Sequence, residues 1–382
     1  MNLSKIWLSS PHMGLNEIAN VNDAFISNWI APLGPYVDLF EKKLSEITKT
    51  NHVAALSSGT AAIHLALILA GVKSNDIVLC QSFTFSASAN PILYQGAIPV
   101  FIDSEIDTWN ISPEALESAI IKYININKKP KAIIAVHLYG MPAKISEIKS
   151  LAEKYEITLI EDAAEALGST FNDLPCGSFG NFGILSFNGN KIITTSSGGA
   201  LISNDLEAIN KARYLATQAR DAAPHYQHSE IGYNYRMSNV LAAIGVGQLD
   251  VLNDRVNSRR KNFDYYYQQL SNIDGIEFLL EPSNTFCNRW LTCILIHPNK
   301  INGLTNDDIR KDLEKNNIEC RPLWKPMHLQ PVFERYDYIG GNVSQDLFNN
   351  GLCLPSGSNL TIDDLQRVVK AIISIINLKV KK

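Results

Sequence analysis

Lys191 lies within LSFNGNKIITTSSGGAL (residues 185–201), between an apolar run and a crowd of threonine, serine and glycine. Most lysines occupy solvated faces, yet neither flank here reads as one. An amine held in a partly dry pocket becomes a usable nucleophile, best employed in a Schiff base with a carbonyl cofactor; a purely structural lysine is the competing reading. Asp162, in LIEDAAEALG, follows the apolar run ITLI and is placed at the carboxyl edge of a sheet, where open α/β folds bind ligands. There it can hold a proton on a heteroaromatic nitrogen or simply cap the helix that follows. Glu165, three residues on, shares the pocket if the segment turns helically.

Two further stretches bear on anion binding. In AALSSGTAAIHL a strand ends at Leu56, and Ser57, Ser58, Gly59 and Thr60 open a helix whose free N–H groups suit a phosphate. Alone, that turn is equally an ordinary N-cap. Ser186 ends the strand FGILSF five positions before Lys191, and Gly198 with Gly199 permits a tight turn or a close backbone approach. GYNYRMSN, with Asn234, Arg236 and Asn239, suits anion recognition or a structural hydrogen-bond corner. A phosphate cradle, a strand-end carboxylate and a buried amine together meet the needs of pyridoxal 5'-phosphate: aldehyde to lysine, ring nitrogen to acid, phosphate to helix N-terminus.

The elements that must position these groups follow from the pattern. From about 50 to 205, short β-branched runs (HVAALSS, DIVLCQ, IPVFID, KAIIAVHLYG, ITLIED) alternate with helical stretches such as TAAIHLALILAG, SASANPILYQG and SEIKSLAEKYE. That alternation predicts a mostly parallel sheet covered by helices on both faces, hence the near-continuous apolarity of its strands. Residues 237–272 read as one long helix, apolar at first and polar later, connecting two cores. The expected division is a large α/β domain over 1–250 and a smaller α+β domain over 251–382. A last helix begins at TIDDLQRVVKAIISIINL, with Thr361 as N-cap and Asp363 and Asp364 in its first turn.

The 382-residue chain is 46% hydrophobic and 19% charged, with a net charge of −4. These values describe a globular protein without bulk attraction for nucleic acid or an anionic membrane. The opening MNLSKIWLSSPHMG turns polar too soon for a secretory signal, and no apolar run approaches the ~20 residues of a membrane span. Six scattered cysteines read as reduced thiols, and eight histidines form no metal-ligand spacing. The expected location is cytoplasmic, with no metal.

In order along the chain, NWIAPLGPYVDLFE, SSGTAAIHLAL, SFTFSASAN, VHLYGMPA, EDAAEALGS, SFNGNKIITT, GYNYRMSN and RPLWKPMH resemble the DegT/DnrJ/EryC1/StrS family of sugar aminotransferases. The resemblance runs along essentially the whole chain. It implies the aspartate-aminotransferase fold (PLP-dependent transferase fold type I) and a homodimer with active sites at the subunit interface. By the same likeness Lys191 matches the Schiff-base lysine and Asp162 the partner of the pyridine nitrogen. Phe85 matches the aromatic that stacks on the cofactor ring, Gly59, Thr60 and Ser186 match phosphate contacts, and Asn234 the contact supplied by the partner subunit.

Two positions depart from the usual pattern: Glu165 stands where many relatives carry glutamine, and Asn188 where they carry histidine. These departures, with EALGS and RPLWKPMH, resemble the branch that aminates C4 of a UDP-2-acetamido-4-keto-2,4,6-trideoxyhexose on the route to UDP-N-acetylbacillosamine, with L-glutamate as donor. The alternatives are a C3- or C4-aminotransferase for a dTDP- or GDP-linked keto-deoxysugar, and a non-catalytic regulatory protein on the same fold. Asn188, Arg236, Arg321 and His328 are candidate substrate contacts, with Arg289 and Lys325 behind them. His64, in a helix apolar on nearly every side, reads as core.

Overall fold

The computed structural model describes residues 4–380. Seven strands build the main sheet: β1 (His52–Leu56), β2 (Ile77–Gln81), β3 (Ile98–Ile102), β4 (Ala132–Val136), β5 (Thr158–Asp162), β6 (Phe182–Ser186) and β7 (Gly199–Ser203). Their order is β1-β7-β6-β5-β4-β2-β3, with the two-residue strand Tyr338–Ile339 on the far edge. Only β7 runs antiparallel to its neighbours; every other pairing is parallel.

Period-two alternation sends successive side chains to opposite faces, and both faces are covered. Val78, Cys80, Ile134 and Ile160 pack with Leu65, Ile92 and Leu215 on one side. Ile77, Leu79, Ile133 and Leu159 pack with Leu116, Ile120, Ile145 and Ile148 on the other. Burial on both faces explains why these strands are apolar throughout and why helices flank them.

The predicted single helix over 237–272 is two helices, Asn239–Asp250 and Leu252–Leu270, broken at Val251 (φ −111°, ψ 10°). The break re-aims the chain. Leu252 and Val256 still pack with Phe40, Ala242 and Val246 of the large core, whereas Phe263, Tyr266 and Leu270 enter the C-terminal core. That second core covers an antiparallel sheet ordered Ile276–Phe278, Thr292–Ile296, Gly351–Leu354, Arg321–Pro322. The helix Ile362–Val380 packs onto it through Leu365, Val368, Val369, Ile372 and Ile376. Thr361 and Asp364 exchange hydrogen bonds at its start, as their spacing predicts.

Two segments cross the expected division at 250. Ile6 bridges to Ile318 and lies in the C-terminal core, and Met327 and Phe333 pack into the core of the main sheet, whose edge Tyr338–Ile339 extends. Phe333 is fully buried and meets Phe101 edge-to-face, with ring centroids 5.4 Å apart. Phe333→Ala should therefore cost about 3–5 kcal/mol of stability, read as a lowered urea midpoint at unchanged slope; a loss below about 1 kcal/mol would show that the return segment contributes little to the large core.

Candidate active site

A cavity of roughly 300 Å³ opens at the carboxyl ends of the parallel strands, the place such sheets reserve for ligands. Ser186 ends β6 and Asp162 ends β5, and both line it together with Ser58, Gly59 and Thr60, Glu165 and Lys191. At the helix start, the Ser58 hydroxyl accepts the Ala61 N–H at 3.0 Å. The turn therefore caps itself with one side chain while presenting first-turn amides to the cavity. Gly199 is required here: a Cβ on it would lie 2.3 Å from the Gly59 nitrogen and 2.4 Å from the Ser58 carbonyl carbon. Antiparallel β7 thus passes against the helix start at backbone contact distance.

The acids on β5 alternate faces and do different work. Glu161, fully buried, accepts His137 Nε2–H at 2.9 Å and the N–H groups of Gly177, Phe179 and Gly180, which pins the loop after the short hairpin. Asp162 faces the cavity side. The Ser88 hydroxyl donates to its Oδ2 at 2.6 Å and the Ala164 N–H to its Oδ1 at 3.2 Å. Thr84 Oγ1 lies 2.8 Å behind Ser88 Oγ. Ser88 is absent from the sequence-derived site; its only signal is its place in SFTFSASAN, three positions after Phe85.

Lys191 rides on a tight turn closed by its own N–H to the Asn188 carbonyl at 3.0 Å. Its Nζ lies 3.1 Å from Glu165 Oε1 and 4.3 Å from the centroid of the Trp290 ring. Trp290 donates its indole N–H to the Asn190 carbonyl at 2.7 Å, which fixes the ring against the lysine turn. Burial pushes the Glu165 carboxyl above the usual carboxylate range, and the charge of Lys191 opposes that shift. Phe85 stands half exposed at the cavity, 5.3 Å from Trp324. Trp290 and Trp324 both line the cavity; RPLWKPMH hints at the second, and nothing in NRWLTCILI marks the first.

The remaining candidates divide. Asn188 lines the cavity. Asn234 is exposed, bridges to Thr217 and is not among the residues lining its own chain's cavity. Arg236, Arg321 and His328 do not line their own chain's cavity. Arg236 is buried against Glu41 at 3.0 Å, an acid it shares with Arg213. Arg321 points to solvent beside Glu319 at 2.9 Å. His328 is held by Ser82 Oγ at 2.7 Å and stacks on Tyr338. Arg289 is likewise committed, donating to the Leu279 carbonyl and lying over Phe263. His64 bonds Tyr235 and Gln95 within an aromatic cluster, in keeping with its core reading.

Residues 11–373 match the model of the DegT/DnrJ/EryC1/StrS aminotransferase family. The chain belongs to that family. It is 54% identical to EpsN of Bacillus subtilis (strain 168), provisionally named a pyridoxal phosphate-dependent aminotransferase, over 99% of this chain and 98% of that one. It is 34% identical to the GDP-perosamine synthase of Vibrio cholerae, over 96% and 98%. Among solved structures, Spr1654 from Streptococcus pneumoniae in its PLP form, provisionally named a sugar aminotransferase, superposes with TM-score 0.90 at 25% identity, covering 98% of this chain and all of that one. The fold is accordingly that of PLP-dependent transferases of fold type I, and the chain is a pyridoxal phosphate-dependent aminotransferase of nucleotide sugars.

The cavity fits that cofactor on its own chemistry. It joins an amine, a buried carboxylate already supplied with two donors, a helix N-terminus with the Ser186 hydroxyl beside it, and an aromatic ring at its mouth. Among the described residues, no helix is long and apolar enough to cross a membrane. Gly199→Ala, by pushing the helix start off β7, should weaken pyridoxal phosphate retention at least about tenfold, a loss of roughly 1.4 kcal/mol in binding, in equilibrium dialysis. Wild-type affinity in that variant would mean that the turn takes no part in holding the cofactor.

Proposed function

We propose that the protein transfers an amino group from L-glutamate to C4 of a UDP-2-acetamido-4-keto-2,4,6-trideoxyhexose, in bacillosamine-type nucleotide-sugar biosynthesis. The observation that carries the reading is the convergence of Lys191, Asp162 and the Ser58–Thr60 turn on one cavity at the strand ends. The sugar assignment is supported by Asn188 and Trp324, which belong to the stretches resembling that branch and line this cavity.

When bound, pyridoxal phosphate supplies an aldehyde that takes up the amino nitrogen and a ring that accepts the electron pair released at the substrate carbon. Lys191 would hold that aldehyde and, when not so engaged, would be placed to carry a proton between the α-carbon of the donor and the cofactor. Asp162 holds the proton on the ring nitrogen; the donors from Ser88 and Ala164 keep its carboxylate oriented for this. Gly59, Thr60 and Ser186 would hold the phosphate, and Phe85 would face the ring.

The protein acts as a homodimer in the cytoplasm. Support for a second copy comes from Leu15, Ile18, Phe25, Ile26, Trp29, Ile30 and Leu33, exposed large apolar side chains just before, on and after the helix Glu17–Ile26. Such a patch marks an interaction surface, and Asn234 is exposed as a residue serving a neighbouring copy must be. Six buried, unpaired cysteines agree with a reducing compartment. A second reading, a GDP-linked keto-deoxysugar, is supported by the likeness to GDP-perosamine synthase.

Purified holoenzyme incubated with L-glutamate and UDP-, GDP- or dTDP-linked 4-keto sugars should aminate the UDP sugar, with C4 substitution read by NMR of the product. Turnover of the GDP sugar alone would select the second reading. Lys191→Ala should abolish turnover and the cofactor's lysine-linked absorbance together; retention of both would remove Lys191 from the reaction.

A further inference from the structure

Glu165 is held in place from two sides. Its Oε1 faces Lys191 Nζ at 3.1 Å, while Oε2 accepts the Tyr139 backbone N–H at 2.7 Å. Its own carbonyl accepts the Asn288 side-chain amide at 2.8 Å. The carboxylate cannot swing away from Lys191 without leaving a buried N–H unpaired. On the far side of the amine, the Trp290 face closes the seat at 4.3 Å. The titratable groups around Glu165 are Lys191 and Asp162, with the Tyr139 phenol and the Cys293 thiol further back. Of these, only Lys191 brings a positive charge.

We propose that Glu165, 3.1 Å from the Lys191 nitrogen, is its counter-ion when that nitrogen is joined to the cofactor aldehyde. The inference rests on the reading that Lys191 is the residue so joined. In forming the bond, the amine gives its lone pair to the aldehyde carbon, and the aldehyde oxygen leaves as water with both amine hydrogens. The nitrogen retains a lone pair that can carry a proton. A carboxylate at hydrogen-bond distance favours the cationic form. A glutamine in its place would offer an oxygen but no charge. Glu165 is thus a positioning residue: it acts on the proton inventory of the lysine.

The experiment is a pH titration of the absorbance of full-length holoenzyme, whose band changes as the nitrogen joined to the cofactor gains or loses its proton. Glu165→Gln keeps an oxygen for the Tyr139 N–H and removes the charge, so its midpoint should fall by about one pH unit or more. A role confined to supporting the fold would loosen the cofactor and leave the midpoint where it was, which overturns the proposal. Should Glu165→Gln fail to fold by circular dichroism, Glu165→Asp replaces it: the carboxylate withdraws by one methylene, a smaller downward shift is expected, and an unmoved midpoint again overturns the proposal. Borohydride reduction of wild-type holoenzyme with peptide mapping separates the two inferences. Label on another lysine removes the Lys191 reading and this one with it; label on Lys191 with an unmoved midpoint removes this one alone.

Discussion

Asp162, Glu165 and Lys191 place two carboxylates and one amine in a largely dry cavity, with Asp162 and Glu165 about one-twentieth exposed. A buried charge is tolerated only when paired and hydrogen-bonded, and much of the surrounding structure serves that requirement. Ser88 and the Ala164 N–H satisfy Asp162, the Tyr139 N–H and Lys191 satisfy Glu165, and Trp290 offers its face to the ammonium. Tyr139 can donate because the chain after β4 turns through a left-handed conformation there (φ 56°). A non-glycine residue at positive φ is costly and persists where the surroundings over-determine it.

These partners come from separate elements, and the sheet order is what gathers them. Asp162 ends β5, the Tyr139 turn follows β4, Ser88 lies on the helix after β2, and Ser186 ends β6. Parallel neighbours bring their carboxyl ends to one edge. Antiparallel β7 could have spoiled this by ending elsewhere. Instead it begins at Gly199 on that same edge, which lets the end of β6 at Ser186 and the Gly59 helix start meet across a bare backbone.

Much of this was legible in the residues because it is local. Strand-end position, the Ser-Ser-Gly-Thr turn and an apolar flank around Lys191 are properties of short stretches, and the fold arranges short stretches in a regular way. What could not be read was pairing over long sequence distance. Arg236 is paired with Glu41, nearly two hundred residues earlier, and His328 with Ser82, partners that no short stretch announces. Trp290 becomes part of the site only because a long-range apolar cluster with Phe83, Tyr139 and Leu323 seats it against the lysine turn. The helix break at Val251 has no glycine or proline to announce it. It follows from the need to serve two cores, and that need is tertiary.

The charge balance of the cavity carries the last step. Within one chain its lining holds a single cation, Lys191, and no arginine, against two carboxylates. A phosphate-bearing cofactor and a nucleotide sugar are both anionic, so binding them in a low-dielectric site demands more positive potential than this lining supplies. The helix N-terminus at Gly59 contributes part of it, on the order of half a charge. The apolar run from Leu15 to Leu33, exposed in the single chain, supports a second copy as the source of the remainder. In that arrangement the buried Glu165–Lys191 pair is the neutral centre of the site.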